Sequence, residues 1–194
     1  MRAHPSHEAA FEGKSLAALV FNDNDAVNGI VADFAAALKR RGHRIAGMVQ
    51  TVDVAQPCDC REVFLRDVET GEAISILQDL GTQSQSCRID TTALADAAHR
   101  VARAIERSPE LLFVNRFGKL EAAGLGLYAE IGAAAAAGVP TLVCVSVKFI
   151  DPWRQFTMGL DEELLCSGAA LERWWRAVNA RSAPSDVSLG AALR

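Results

Sequence analysis

Residues 15–51 read SLAALVFNDNDAVNGIVADFAAALKRRGHRIAGMVQT, and the fold turns on how this stretch divides. Residues 15–21 are a continuous apolar run with the length of a buried strand. Residues 22–25, NDND, interrupt it with four side chains that favour turns and helix caps. Val27, Ile30, Val31, Phe34 and Leu38 then recur at helical spacing, which gives a helix one apolar stripe. Asn24 or Asp25 stands where it can cap the first turn, and Gly42 stops the helix. Residues 44–51 read as a second strand. Strand, helix, strand in that order predicts a right-handed crossover between two parallel strands.

The same alternation returns further along. Residues 53–60 are a polar loop, and residues 62–67 and 73–78 flank Glu69-Thr70-Gly71-Glu72, the pattern of a β-hairpin. Residues 79–88 form a polar loop. Asp90 or Thr91 then caps a helix with Leu94, Ala98, Val101 and Ile105 on its core face. Residues 111–115 (LLFVN) are a strand, 116–119 a tight loop, and about 121–137 an Ala-rich helix ended by Gly138 and Pro140. Residues 141–147 (TLVCVSV) are another buried strand, and residues 151–153 start an irregular or short helical segment. Ser167 caps a last helix with Leu171, Trp174, Trp175 and Val178 on one face. The expected architecture is α/β: three layers, doubly wound, with a mostly parallel sheet and a small β-hairpin insertion. Residues 15–178 are expected to be the single domain, between a flexible N-terminal segment (1–14) and a flexible tail (179–194).

A chain of 194 residues suits one core. Half the residues are hydrophobic and 23% are charged, an ordinary globular balance. A net charge of −4 and 6% aromatic residues argue against nucleic acid or an anionic membrane as partner. Residues 1–14 lack the apolar run of an export signal. The apolar stretch 133–147 is broken by Gly138 and Pro140, so it does not read as a membrane span. A cytoplasmic location is expected, with the five cysteines as free thiols.

Folds of this kind bind ligands at the carboxyl ends of their strands. Residues 22–25, 50–53, 115–119 and 146–153 leave those ends. Asn115-Arg116-Phe117-Gly118-Lys119 offers an amide and two cations between a strand and a helix, a set that suits an oxyanion. The plainer alternative is a surface turn with solvated cations and Phe117 under the sheet. Ser86, Cys87 and Arg88 offer a hydroxyl, a thiol and a guanidinium to wrap an anion, or simply form a solvated loop. Ser146 and Lys148 end the last strand and are able to contribute to the same site. Asp23 and Asp25 are candidates for a metal ion, or for accepting bonds from hydroxyls or an amine; helix capping is the simpler role. Cys58 and Cys60 form a lone C-x-C without the second pair of a structural zinc site. Cys144 reads as core. His4, His7, His43 and His99 form no triad or metal pattern. Trp174 and Trp175 belong either to the domain's own core or to a contact with a second copy.

The stretch LLFVNRFGKLEAAGLGLYAEIGAAAAAGVPTLVCVS, with AGMVQ, FLRDVETGEAISILQDLG and SCRID, resembles a bacterial family described as a domain of unknown function. The matching stretches lie between about Leu16 and Trp153, and the NRFGK-x-E segment is the most specific. That family is similar to P-loop nucleoside triphosphatases of the small, kinase-like type, and its members are often encoded beside molybdate-transport genes. The resemblance therefore implies a P-loop-like fold and a link to molybdenum or a related oxyanion. Two departures stand out. Where such triphosphatases carry a glycine-rich phosphate loop, this chain has NDNDAVNG. Where they carry D-E-x-G-K-x-E, Asn115 and Arg116 replace the acidic pair, while Gly118, Lys119 and Glu121 remain.

The expected function is binding of a small anionic ligand, an oxyanion (molybdate-like or phosphate-like) or a nucleotide, in molybdenum homeostasis. Arg116, Lys119, Arg88 and Lys148 would supply charge; Asn115, Ser86 and Ser146 would orient the ligand. The alternative is a divergent triphosphatase or phosphotransferase. In it Asp23 or Asp25 would hold the magnesium that comes with a nucleotide or act as a base, and Arg116 and Lys119 would stabilise phosphoryl charge.

Overall fold

Apolar strands buried on both faces and helices apolar on one stripe pack as three layers. The computed structural model describes residues 13–23, 25–52, 63–78 and 88–182. Its main sheet contains β1 (Leu16–Phe21), β2 (Ile45–Val52), β3 (Val63–Asp67), β4 (Ala73–Ser75), β7 (Leu111–Phe117), β8 (Thr141–Ser146) and β9 (Asp161–Leu165). Two-residue strands β5 (Leu77–Gln78) and β6 (Arg88–Ile89) pair separately. The strand order is β4-β3-β2-β7-β8-β1-β9. The ladders from β2 to β9 are parallel, and β3 and β4 join as the expected antiparallel hairpin. The first two strands of the crossover are thus parallel, with β7 and β8 between them.

The helices divide between the two faces. α1 (Val27–Arg40) and α6 (Gly168–Ser182) cover one, meeting Ala17, Leu19, Phe21, Phe113, Leu142 and Cys144. α2 (Thr91–Glu106), α4 (Tyr128–Ala136) and α5 (Ile150–Thr157) cover the other, meeting Leu16, Ala18, Leu112, Val114, Val143 and Val145. Alternate residues of each strand therefore serve opposite cores, as the pleat requires. Trp174 and Trp175 are buried in the first core, so they serve the domain itself.

Several expectations change. The Ala-rich helix is two helices, α3 (Lys119–Ala122) and α4, because Glu121 ties the chain between them. Its buried carboxylate accepts from the Gly118 amide at 3.0 Å and the Leu127 amide at 3.1 Å. The turn passes through Gly126 at φ +61°, where a Cβ would lie 2.1 Å from the Glu121 carboxylate. The core of α2 centres on Ala97, Val101 and Ala104, with Ala98 and Ile105 at its margin.

Strand β9 was not foreseen, since DEELL is polar and lies at the sheet edge. Buried Asp161 anchors it. The carboxylate accepts from Trp153 Nε1 at 2.7 Å and Thr157 Oγ1 at 2.6 Å, locking β9 to α5. Helix α6 runs past residue 178 to Ser182, and Arg181 Nη1 donates to the Gly13 carbonyl at 3.2 Å. Trp174 Nε1 donates to the Lys14 carbonyl at 2.9 Å, so residues 13 and 14 belong to the packed unit. Residues 1–12 and 183–194 lie outside the described residues. No helix of the described residues is long and apolar enough to cross a membrane.

Gly47 in β2 shows how tightly the parallel ladder is drawn. It has φ +103°, and a Cβ there would sit 2.0 Å from the Phe113 carbonyl oxygen of β7. Backbone against backbone has no soft way to yield. Gly47→Ala is expected to lower the unfolding free energy by at least about 3 kcal/mol, measured by urea denaturation.

A candidate anion cleft at the carboxyl edge

Neighbouring strands β1 and β8 send their following helices, α1 and α5, to opposite faces of the sheet. Such a divergence opens a crevice at the carboxyl edge. A cleft of about 350 Å³ lies there. The turn after β1 supplies Asn22, Asp23 and Asp25, the start of α1 supplies Asn28 and Gly29, and Gln50 and Arg116 come from β2 and β7. A larger cavity, about 470 Å³, lies at the other end of the strands. Three of its basic side chains are already engaged: Arg107 pairs with Glu69, Lys39 Nζ donates to the carbonyls of Val68 and Glu69, and His43 Nδ1 bonds Glu110. The carboxyl-edge cleft is therefore the candidate site.

Arg116 reaches this cleft through an irregularity in β7. Val114 pairs with Val143 of β8, and the next β8 residue, Cys144, pairs with Arg116. Asn115 is the extra residue of a β-bulge. In a regular strand, with Asn115 paired in the ladder, Arg116 would share the face of Val114, beneath α4 and α5. With the bulge, Arg116 shares the face of Cys144 and Phe21, beside α1, and Phe117 turns into the opposite core. The surface-turn alternative put Phe117 under the sheet, and Phe117 does pack there, edge-on against Trp153 at 5.2 Å.

The guanidinium lies 4.8 Å from the centre of the Phe21 ring. Nη2 donates to Asn28 Oδ1 at 3.1 Å. Nε is buried and has no hydrogen-bond partner among the described residues. Burial pushes the Arg116 pKa below its ordinary value, which marks a charge short of solvation. The cation–π contact offsets part of that cost, on the order of 0.5–2 kcal/mol.

The turn after β1 departs from the expected capping role. The N-cap of α1 is Ala26, and no described side chain caps the helix. Asp25 turns back instead: its Oδ2 accepts from the Asn22 amide at 2.8 Å, and its own amide donates to the Asn22 carbonyl at 3.1 Å. Asn24 lies outside the described residues. Residues 26–29, at the start of α1, line the cleft, and the first turn of a helix carries the positive end of its dipole.

The remaining candidates separate. Lys148 Nζ binds Asp23 Oδ2 at 2.6 Å in an exposed ion pair across the β1 and β8 ends. Ser146 Oγ accepts from the Lys148 amide at 3.3 Å, so it caps the short 3-10 turn Val147–Phe149. Lys119 is exposed at the start of α3 and does not line the cleft. Asn115 is described by its backbone alone, as is Arg88, while Ser86, Cys87, Cys58 and Cys60 lie outside the described residues. Among the described residues no group of three His, Cys, Asp or Glu side chains is placed to hold a metal ion. Asp23 Oδ2 is engaged by Lys148 and Asp25 Oδ2 by the Asn22 amide.

Sequence reading did not single out Phe21, Asn28 or Gly29. The signal for the bulge was present: Leu112 and Val114 share a face, and apolar Phe117 joins that face only if one residue is skipped.

The family described as "Protein of unknown function (DUF2478)" matches residues 16–174, and the chain belongs to it. The chain is 38% identical over 180 residues to "Molybdenum import ATP-binding protein ModC 2" of Bradyrhizobium diazoefficiens. The match takes in 92% of this chain but 20% of that relative, so the chain spans about a fifth of its length. Among solved structures it is similar to a human cancer-related nucleoside triphosphatase, with a TM-score of 0.57 at 12% identity, covering 88% of this chain and 98% of that one. It is also similar to THEP1 from Aquifex aeolicus, with a TM-score of 0.54 at 9% identity, covering 83% and 96%. These likenesses show the fold: an α/β sheet of the P-loop triphosphatase type.

Two outcomes follow from the geometry. Gly29 is helical, exposed, and has nothing within 4 Å of an added Cβ. Gly29→Ala is expected to raise the unfolding free energy by about 0.5–1 kcal/mol, read by denaturant midpoint. Burial also pushes Cys144 to about 12 and Cys166 to about 11. At pH 8 both are thiols, and peptide-resolved alkylation is expected to run at least about tenfold slower in folded than in unfolded protein.

Proposed function

We propose that this member of the DUF2478 family is a binding protein for a small oxyanion group, taken up in the cleft between the β1–α1 turn and the β7 bulge, and that it serves molybdenum handling. The observation that carries this reading is Arg116: a half-buried cation held by Phe21 and Asn28, with Nε turned inward and unpartnered among the described residues. An anion there would receive a charge-assisted hydrogen bond and the amides at the start of α1. The relative named as a molybdenum import ATP-binding protein supports the molybdenum link.

Hydrolysis is the weaker reading. The β1–α1 turn has no lysine, has no glycine before Gly29, and presents Asp23 and Asp25 where a triphosphate would need backbone amides. Arg116 and Lys119 also diverge, one lining the cleft and the other exposed outside it.

Isothermal titration with molybdate, tungstate, sulfate, phosphate and ATP tests the reading. At least one oxyanion is expected to bind, and Arg116→Gln is expected to weaken it about 10–100-fold, as loss of a charged hydrogen bond does. The same variant should unfold within about 1 kcal/mol of wild type, because the charge it removes is incompletely solvated. Absence of heat with every anion, or binding indifferent to Arg116, would refute the assignment.

A further inference from the structure

Arg116 and Asp25 line one cleft yet do not pair. Among the described residues Arg116 enters no ion pair, although a carboxylate stands on the facing turn. Each charge is held in place by other contacts: the guanidinium by Phe21 and Asn28, the carboxylate by the Asn22 amide. Opposite charges that share a small cavity would ordinarily close on each other. Here the fold keeps them on separate walls.

A bare inorganic oxyanion is a poor match for that arrangement. It gains from Arg116 and the start of α1, but it brings negative charge towards Asp25, whose carboxylate has only the Asn22 amide as a donor among the described residues. A molecule with an anionic end and a donor end satisfies both walls at once. We propose, building on the oxyanion reading above, that the cleft takes a conjugated oxyanion: a small molecule whose oxyanion group meets Arg116 while an amine or hydroxyl group on the same molecule donates to Asp25. The cavity, about 350 Å³, has room for a linker of a few atoms beyond the oxyanion.

The test compares three probes by titration at one ionic strength: inorganic phosphate, glycerol 3-phosphate and O-phosphoethanolamine. At least one ester is expected to bind about tenfold or more tightly than inorganic phosphate. Preference for glycerol 3-phosphate assigns the donor as hydroxyl, and preference for O-phosphoethanolamine assigns it as ammonium. Asp25→Asn keeps an oxygen for the Asn22 amide but removes the charge. It is expected to weaken the favoured ester while leaving phosphate unchanged or tighter, a divergence that general damage to the cleft would not produce. If phosphate matches or exceeds both esters, or if Asp25→Asn moves all three alike, the conjugated ligand is excluded and the simple oxyanion site stands. If none of the three binds to wild type and the inorganic anions fail as well, both readings fall.

Discussion

The extra residue in β7 is the constraint on which the site depends. A strand alternates its side chains strictly, so one inserted residue reverses the faces of everything after it. Asn115 does this between Val114 and Arg116. The reversal has two consequences that need each other. Phe117 enters the core under α5, where Trp153 and Phe156 surround it. Arg116 is delivered to the opposite face, beside Phe21 and the start of α1. The aromatic packing on one face thereby holds a cation in place on the other. A regular strand would bury the guanidinium among apolar side chains, at a cost of several kcal/mol.

The loop that follows keeps this arrangement from drifting. Gly118, Lys119 and Glu121 are the positions that most resemble those of triphosphatases, but in this fold Glu121 is an internal brace. Its two oxygens bind amides before and after α3, and Gly126 makes room for them. Lys119, between these anchors, faces outward. Gly118 and Glu121 therefore shape the turn, and the cation that lines the cleft is Arg116, beside the bulge.

Most of the architecture was legible because it rests on periodicity. The runs that became β1, β2, β7 and β8 are apolar on both faces, and α1 and α6 show clear stripes. The failures have common physical causes. β9 is an edge strand whose sequence is acidic, and its stability comes from one buried carboxylate that binds Trp153 and Thr157, a tertiary contact with no local signature. The Ala-rich helix breaks because a side chain six residues away claims the Leu127 amide. Of the candidate site residues, Arg116, Asp23 and Asp25 do line one cleft, as strand-end placement suggested. Lys148 instead pairs with Asp23 across the strand ends, and Ser146 caps the turn that follows it, which composition could not reveal. Asn28 and Gly29 went unnoticed since a helix interior reads as scaffold until its first turn is seen to line a cavity.

The distribution of charge around the cleft then decides where electrostatic energy is available for binding. The Lys148–Asp23 pair is exposed on both sides, so water competes for it and its net contribution is small, about 0–1 kcal/mol. Arg116 differs in kind. Burial already opposes its charge, and its inward Nε lacks a partner among the described residues, so the unliganded fold carries an unfavourable solvation cost. An oxyanion meeting the guanidinium at the cleft would offset part of that cost through its charge, and it would meet a side chain that needs little further ordering, since Phe21 and Asn28 already hold it. The same oxyanion arriving at Lys148 would first have to displace Asp23. On the proposed reading, affinity for an anion would therefore rest mainly on Arg116, the cation that lines the cleft and that burial leaves short of solvation.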